Sequence, residues 1–303
     1  MDTEVKINGH TLQLTNLDKV YWPDDRYTKG DLIEYYRNIA PIILPYLKDR
    51  PENMNRHPHG IEGESFYQKD VDHQPPSWVK TAKIYSESND KDINYLLCQN
   101  EATLVYMANL GCIELNPWNS RVKKLDNPDY VIMDFDPEDI SFDFVIEAAQ
   151  VVHEILEEAG IKNYCKTSGA SGLHICIPLG AKYTYDQAKD LTHVIALLAN
   201  EELPDTTSVE RSPSKRQKKV YLDYLQNRRG QTLAAPYCVR PKPGAPVSTP
   251  LEWREVKPGL SPADFTIKNI FERIRKTGDL WKPVLGRGID LERATKKLAA
   301  IAG

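Results

Sequence analysis

Long apolar runs are missing from this chain. The longest unbroken one, residues 194–199, falls far short of the roughly 20 residues that a membrane-spanning helix needs. Residues 1–12 lack the apolar region of a secretory signal. Cysteine is sparse: Cys98, Cys112, Cys165, Cys176 and Cys238 are an odd five, and none lies within four residues of another. That excludes a CxxC zinc or redox motif and makes a disulfide framework an unsuitable reading, so reduced, mostly buried thiols are expected. Charge of one sign is lacking too. The 39 Lys and Arg against 43 Asp and Glu leave a net charge of −4, which excludes a histone-like nucleic-acid binder and confines any phosphate-binding surface to a local patch. The expectation is a soluble, cytoplasmic protein. What is present is a globular composition, 41% hydrophobic and 27% charged over 303 residues, with length for about two lobes.

Helical spacing begins at Thr28. Thr28 and Asp31 fit a capping arrangement, and Leu32, Ile33, Tyr35, Tyr36 and Ile39 recur on one side until Pro41 and Pro45, which are expected to interrupt or end the helix. Residues 50–77 read as loops and short strands, and the charged segment 86–92 as a hairpin tip. A more regular region starts near Gly111. Residues 130–133 form an apolar strand leading into Asp134, followed by an amphipathic helix over 141–158, then strands over 163–166 and 173–178 joined by a Gly/Ser turn. Thr184 and Gln187 make a capping box for a helix to about residue 200, and strands over 206–211 and 220–225 flank a basic loop. The order strand, helix, strand, strand, helix, strand matches a split βαβ arrangement, so the fold class is α+β, an antiparallel sheet backed by helices. Residues 236–262 read as an irregular wrap, and a final helix over 262–276 as the close of the chain.

Asp-x-Asp occurs three times, at Asp70 and Asp72, Asp90 and Asp92, and Asp134 and Asp136. The first two pairs sit in polar loops, where solvated charge is a sufficient explanation. Only the third ends an apolar strand. Alternate strand residues share a face, so Asp134 and Asp136 point the same way, their Cα atoms about 6–7 Å apart. Like charges so placed repel unless a cation lies between them, and hard oxygen donors suit Mg²⁺ or Mn²⁺. The plainer alternative is an Asp capping a turn before Pro137. Asp223, on the apolar strand 220–225, completes a three-carboxylate cluster if the two strands are neighbours. Two ions held there are the apparatus for in-line displacement at phosphorus.

Between these strands runs the segment 166–174, KTSGASGLH. Its glycines permit positive φ and close backbone approach, so successive N–H groups can face an anion, with Ser168 and Ser171 adding hydroxyls. It is not a Walker loop, since the GxxxxGK[ST] spacing is absent. His174 is expected to point toward the sheet surface and to touch phosphate. Residues 205–229 hold seven basic side chains against three acidic ones, whereas 138–158 holds seven acids and no Lys or Arg. The first stretch would hold primer or triphosphate; the second is the outer face of its helix.

A strand ending in Asp-x-Asp, a glycine-rich turn ending in His, then a strand with one Asp resemble the archaeo-eukaryotic primase superfamily. The runs LTNLDKVYWP, GESFYQKD, IELNPWNSR, DYVIMDFDP, KTSGASGLHICIPL and the long stretch from YLDYLQNRRG to LEWREV are similar to the polymerase domain of bacterial ligase D and its stand-alone archaeal relatives in non-homologous end joining. The resemblance implies a primase-polymerase fold: a split βαβ, RRM-like sheet with helices plus an N-terminal α/β lobe. It implies one such domain over 1–303, with residues 1–115 binding template and 5′-phosphate, and 116–303 a catalytic lobe with a C-terminal wrap. It also implies Asp134, Asp136 and Asp223 as metal ligands, and Ser168 and His174 at the triphosphate. Asn55, Asn116, Arg216, Gln226 and Arg240 would lie at the nucleotide or primer terminus. Lys19 and Lys29 would hold a downstream 5′-phosphate, and Phe66 and Tyr67 would stack on template bases. Two departures stand out: Asn116 replaces a usual histidine and Asn55 a usual basic residue, both removing positive charge near the nucleotide.

The implied activity is template-dependent DNA or RNA synthesis that fills gaps and extends broken ends, with two Mn²⁺ or Mg²⁺ ions and a preference for ribonucleotides. The implied partners are gapped or broken DNA with a 5′-phosphate, nucleoside triphosphates, a Ku-type end-binding protein and a separate ligase, since no KxDG motif is present. The implied location is the cytoplasm, at the nucleoid. Two rivals share some of these residues: a metal-dependent nuclease or phosphoesterase, and a non-catalytic nucleic-acid-binding module.

Overall fold

The computed structural model describes residues 2–71, 75–87, 89–216 and 218–302. Asp72 and His73 of the first Asp-x-Asp segment, and Ser88 of the 86–92 tip, lie outside the described residues. Contacts divide the chain into two units. Unit one is Met1–Lys123, Thr232–Ser248 and Phe265–Arg275; unit two is Lys124–Gln231, Thr249–Asp264 and Lys276–Gly303. The first division therefore falls at residues 123/124 rather than 115/116, and two segments after residue 231 return to unit one, whereas the sequence reading keeps everything beyond 116 in the catalytic lobe.

Unit one opens with the hairpin β1 (Thr3–Ile7) and β2 (His10–Leu14), turned at Asn8 and Gly9, both with positive φ. The short β3 (Val20–Trp22) and β4 (Tyr27–Thr28) lead into α1 (Lys29–Leu47). Thr28 and Asp31 form the expected capping box, but Pro41 and Pro45 lie inside α1 instead of ending it. A proline in a helix interior costs about 3 kcal/mol. Here Leu32, Ile33, Tyr36, Ile39, Ile43, Tyr46 and Leu47 are all buried, and about 1.5–3 kcal/mol for each large apolar side chain outweighs that cost. β5 (Glu52–Arg56) is the centre of a sheet ordered β6-β5-β9, formed with β6 (Phe66–Gln68) and β9 (Cys112–Pro117). The hairpin β7 (Thr81–Ser86) and β8 (Lys91–Leu96) and helix α2 (Glu101–Asn109) lie between them in sequence.

Unit two is built on β10 (Tyr130–Pro137), α3 (Phe142–Glu158), β11 (Tyr164–Thr167), β12 (Leu173–Pro178), α4 (Tyr185–Glu202), β13 (Thr207–Ser208), α5 (Pro213–Arg216), β14 (Val220–Asp223) and β15 (Pro250–Leu251). Strand order is β13-β14-β10-β12-β11-β15, antiparallel except for the β13–β14 pair. The four inner strands with α3 and α4 are the split βαβ expected from the element order. Val131, Met133, Phe135, Leu173, Ile175, Ile177 and Leu222 are fully buried on the face shared with α3 and α4. The alternate residues are left on the opposite face, where the polar cluster sits.

The end of the chain departs from expectation. Residues 262–276 do not form one helix: Pro262–Asp264 is a single 3₁₀ turn and α6 spans Ile270–Thr277. Between them the Asn269 Oδ1 accepts from the Thr266 N–H at 2.9 Å, and the Thr266 Oγ1 from the Lys268 N–H at 3.3 Å, side-chain bonds that compete with helix continuation. The chain closes on α7 (Leu291–Ile301), capped by Asp290 and docked through Ala294 and Leu298 at helical spacing. Among the described residues no helix is long and apolar enough to cross a membrane.

Candidate active site

Strand register lines up four polar side chains across the open sheet face of unit two. Asp134 on β10 pairs with Asp223 on β14 to one side and with His174 on β12 to the other, and His174 pairs with Lys166 on β11. Directly opposed residues have Cα atoms about 4.5–5.5 Å apart, so Asp223, Asp134, His174 and Lys166 form one continuous row. Asp136 stands two residues along β10 on the same face, opposite Tyr221. Strand adjacency, on which the three-carboxylate reading depends, is met.

Within the row, His174 Nε2 lies 3.1 Å from Asp134 Oδ1 and His174 Nδ1 lies 2.7 Å from Lys166 Nζ. An ammonium can only donate, so Lys166 donates to Nδ1, which leaves the ring proton on Nε2, facing Asp134 Oδ1. Lys166 is fully buried and its Nζ lies 6.0 Å from the Trp281 ring centroid. Sequence reasoning turned His174 toward the sheet surface, away from Leu173, Ile175 and Ile177, and the register places it on that face, where it is nonetheless only 2% exposed, its ring nitrogens close to Lys166 and Asp134.

Asp223 accepts from the Leu225 N–H at 2.8 Å, the Tyr221 hydroxyl at 3.2 Å and Gln226 Nε2 at 3.0 Å. Burial, and then the charge of Asp134, still hold its carboxyl above the usual aspartate range. Two carboxylates that make each other costly to ionise fit a hard divalent cation, which lowers the cost of both. Among the described residues no three His, Cys, Asp or Glu side chains close a cage around an ion.

The basic loop folds back onto this strand. The Arg216 guanidinium lies 3.7 Å from the Tyr221 ring centroid, and its nitrogens donate to the Glu210 and Arg211 carbonyls at 3.0 and 2.8 Å. A pocket of about 240 Å³ beside Asp223 is lined by Arg211, Arg216, Gln226 and Arg228. The glycine turn is tighter than expected. Ser168 Oγ accepts from the Ala170 and Gly172 N–H groups at 3.1 and 2.9 Å, so these two amides turn inward. A Cβ at Gly172 would sit 2.3 Å from the Phe135 carbonyl oxygen, so only glycine lets the turn pack on β10.

The remaining residues expected at the nucleotide lie in unit one, gathered around Glu114 on β9. Asn55 pairs with Glu114 across the β5–β9 ladder, Asn116 pairs with Asn53, and Arg240 Nε donates to Glu114 Oε2 at 3.0 Å. On β6, Phe66 and Tyr67 are 46% and 61% exposed, unusual for aromatics and suited to stacking. Arg56 lies 5.1 Å from the Phe66 ring centroid. Near the start of α1, Lys19 Nζ donates to the Pro58 carbonyl at 2.7 Å and Lys29 Nζ to the Thr15 carbonyl at 2.7 Å, and the Lys29 N–H donates to the Lys19 carbonyl. Burial, with the charge of Lys19 second, lowers the Lys29 pKa to about 8. Sequence reasoning missed Lys166, Tyr221 and Glu114. Lys166 had a usable signal, being two residues from Tyr164 and Ser168 on a strand beside His174.

Comparison with known proteins agrees with this geometry. The family described as LigD, primase-polymerase domain, matches residues 28–281. The Bifunctional non-homologous end joining protein LigD of Bacillus subtilis is 34% identical over 269 residues, covering 88% of this chain and 43% of that protein. The Multifunctional non-homologous end joining protein LigD of Pseudomonas aeruginosa is 29% identical over 282 residues, 91% of this chain and 33% of that protein. The chain thus spans less than half the length of these relatives. Among solved structures, the polymerase domain from Mycobacterium tuberculosis ligase D in complex with DNA superposes with a TM-score of 0.84 at 25% identity, covering 92% of this chain and 99% of that one. With the carboxylate row on its split βαβ sheet and a match over most of its length, the chain belongs to the LigD primase-polymerase domain family.

Proposed function

We propose that this protein is a template-dependent nucleotidyltransferase that extends a primer or broken-end overhang from nucleoside triphosphates, releasing pyrophosphate, in non-homologous end joining. The observation that carries the reading is the pairing of Asp134 with Asp223 across β10 and β14, with Asp136 on the same face. Acids facing a polyanionic substrate repel it unless cations intervene, which a simple nucleic-acid-binding module leaves unexplained. Bound Mn²⁺ or Mg²⁺ would polarise the phosphoryl oxygens, lower the pKa of the primer 3′-hydroxyl and neutralise the leaving pyrophosphate. Asp134, Asp136 and Asp223 would hold the ions. Arg211, Arg216 and Arg228 would offset triphosphate charge in the pocket beside Asp223, and Gln226 fixes the Asp223 carboxylate.

In unit one, Asn55, Asn116 and Arg240 are assigned to the nucleotide, and Phe66 and Tyr67 to template bases. Ribonucleotides are the favoured substrates in this reading, by family resemblance, with a Ku-type protein and a DNA ligase acting alongside at the nucleoid. The test is pyrophosphate release on gapped, 5′-phosphorylated DNA, comparing Mn²⁺ with Mg²⁺ and ribonucleotides with deoxyribonucleotides. Release that requires primer, template, triphosphate and divalent metal together is expected. Phosphodiester cleavage without triphosphate would instead establish a nuclease.

Lys19 and Lys29 are assigned to the downstream 5′-phosphate. The double substitution Lys19→Ala, Lys29→Ala is expected to weaken binding about tenfold or more to gapped DNA bearing that phosphate and to leave unphosphorylated gaps nearly unaffected. Equal losses on both substrates would remove the assignment. Lys29 titrates near pH 8 in the free protein and must be protonated to attract phosphate. The 5′-phosphate contribution is therefore expected to be level between about pH 7 and 7.5, where the phosphate is fully charged, and to fall as pH rises through 8 to 9, by at most one decade per pH unit for one proton.

A further inference from the structure

Away from the carboxylate row, unit two contains a cavity of about 570 Å³ where the end of α3, the outer ends of β11 and β12, the 283–290 segment and α7 meet. Its rim carries Lys162, Arg287, Arg293 and Lys297, and Asp290 is the one acid in the lining, giving a local balance of +3 in a chain of net charge −4. Among the described residues none of these four cations makes an ion pair. Asp290 is committed elsewhere, since its Oδ1 accepts from the Arg293 N–H at 3.0 Å as the cap of α7. The last turn of α3 has no basic residue, so its carbonyl ends account for the nearness of Lys162 and Lys297. Arg287 and Arg293 have no such explanation.

The walls are built rather than incidental. A Cβ on Gly288 would overlap the Leu179 carbonyl carbon at 2.0 Å, so the 286–288 loop is pressed backbone to backbone against the end of β12. The Ile289 N–H donates to the Pro178 carbonyl at 3.0 Å and the Tyr183 hydroxyl to the Ile289 carbonyl at 3.1 Å, which locks the same loop. Lys297 Nζ would lie 3.1 Å from a Cβ at Gly160, a residue with φ +65, so the ammonium rests directly over that glycine. Ala159, Ile161, Pro178 and Ala294 are buried and make an apolar floor, with the half-buried Tyr164 as the aromatic ring of the lining.

Four cations above an apolar, ring-bearing floor match a ligand with multiply charged phosphate on a flat organic body, and the volume falls within the range of about 300–1,000 Å³ for small-molecule sites. We propose that this cavity is a second phosphate-binding site, for a nucleoside polyphosphate, distinct from the carboxylate row. The same chemistry is presented by the phosphorylated end of a nucleic-acid strand, and the experiment separates the two sources. The site uses protein cations, so it needs no metal, unlike the carboxylate row.

The test is equilibrium binding of a fluorescent ATP analogue to the full chain in EDTA, competed with tripolyphosphate and with a short 5′-phosphorylated oligonucleotide. The expected result is metal-independent binding that weakens at least tenfold in the double variant Arg287→Gln, Arg293→Gln. It should persist in Asp134→Asn and in Arg216→Gln. Primer extension by the double variant should match the unsubstituted protein, because neither arginine belongs to the catalytic machinery; both side chains are exposed, so folding is retained and a melting curve verifies it. Stronger competition by ATP than by the oligonucleotide assigns the free nucleotide as the source, and the reverse order overturns that assignment in favour of a strand end. Absence of binding in EDTA, or undiminished binding by the double variant, overturns the site while leaving the polymerase reading intact.

Discussion

Replacing any one of Asp134, Asp136 or Asp223 by alanine is expected to lower primer extension at least about a thousandfold, about 4 kcal/mol of barrier, with DNA affinity within about threefold of the unsubstituted protein. The size follows from what the row does. In the proposed reading each carboxylate would neutralise part of a divalent cation, and losing one ligand of an ion that would stabilise both the attacking and the leaving oxygen would remove stabilisation present mainly in the transition state. Affinity for DNA should survive because the exposed Phe66 and Tyr67 and the paired lysines Lys19 and Lys29 lie in unit one. The fold should survive as well. Asp223→Ala removes a group whose ionisation is already made costly by burial and by Asp134, so melting temperature is expected to hold or rise. The checks are single-turnover extension with Mn²⁺, anisotropy with labelled gapped DNA, and a melting curve for each variant. Extension above about a tenth of normal in any one of the three would remove that residue from the ion-binding set.

The catalytic sheet was legible in the sequence for a definite reason. Period-two alternation of Val131, Met133 and Phe135 with Ile132, Asp134 and Asp136 declares both the strand and the face on which the acids sit. The capping boxes at Thr28 and Thr184 were equally readable, because each depends on two side chains three residues apart. What depends on tertiary packing was not readable. Pro41 and Pro45 argue for a helix end on local grounds, and only the apolar face of α1 overrules them. The return of residues 232–248 and 265–275 to unit one has no local signal in so irregular a stretch. At the site, the carboxylates announced themselves through strand position. The inward turn of the Ala170 and Gly172 amides onto Ser168, and the engagement of both His174 nitrogens, depend on register between strands that sequence spacing alone does not supply.

That register gives Lys166 its importance. A fully buried ammonium is expensive unless hydrogen-bonded and close to negative charge, and in this row it meets His174 at 2.7 Å, with Asp134 one strand further on. By holding the imidazole as the Nε2–H tautomer, Lys166 turns an N–H rather than a lone pair toward Asp134 Oδ1, 3.1 Å away. Lys166→Met keeps most of the volume and removes the donor. Free of the constraint, the ring can carry its proton on Nδ1, presenting a lone pair to the Asp134 carboxylate and pushing it out of place. A loss of about 10–100-fold in kcat is expected, the usual range for a partner that orients a metal ligand, with the KM for the nucleotide changed much less. Removing one partner of a buried polar row leaves His174 Nδ1 and the Asp134 charge less compensated, so the melting temperature is expected to fall, and kcat is compared well below the variant's transition. Imidazole ¹⁵N shifts separate the tautomer effect from simple structural damage. The unsubstituted protein should show a protonated Nε2 and an unprotonated Nδ1 at His174, and Lys166→Met should shift population toward Nδ1–H. If the shifts are the same in both proteins while kcat falls, Lys166 acts through packing against Trp281 rather than through the histidine.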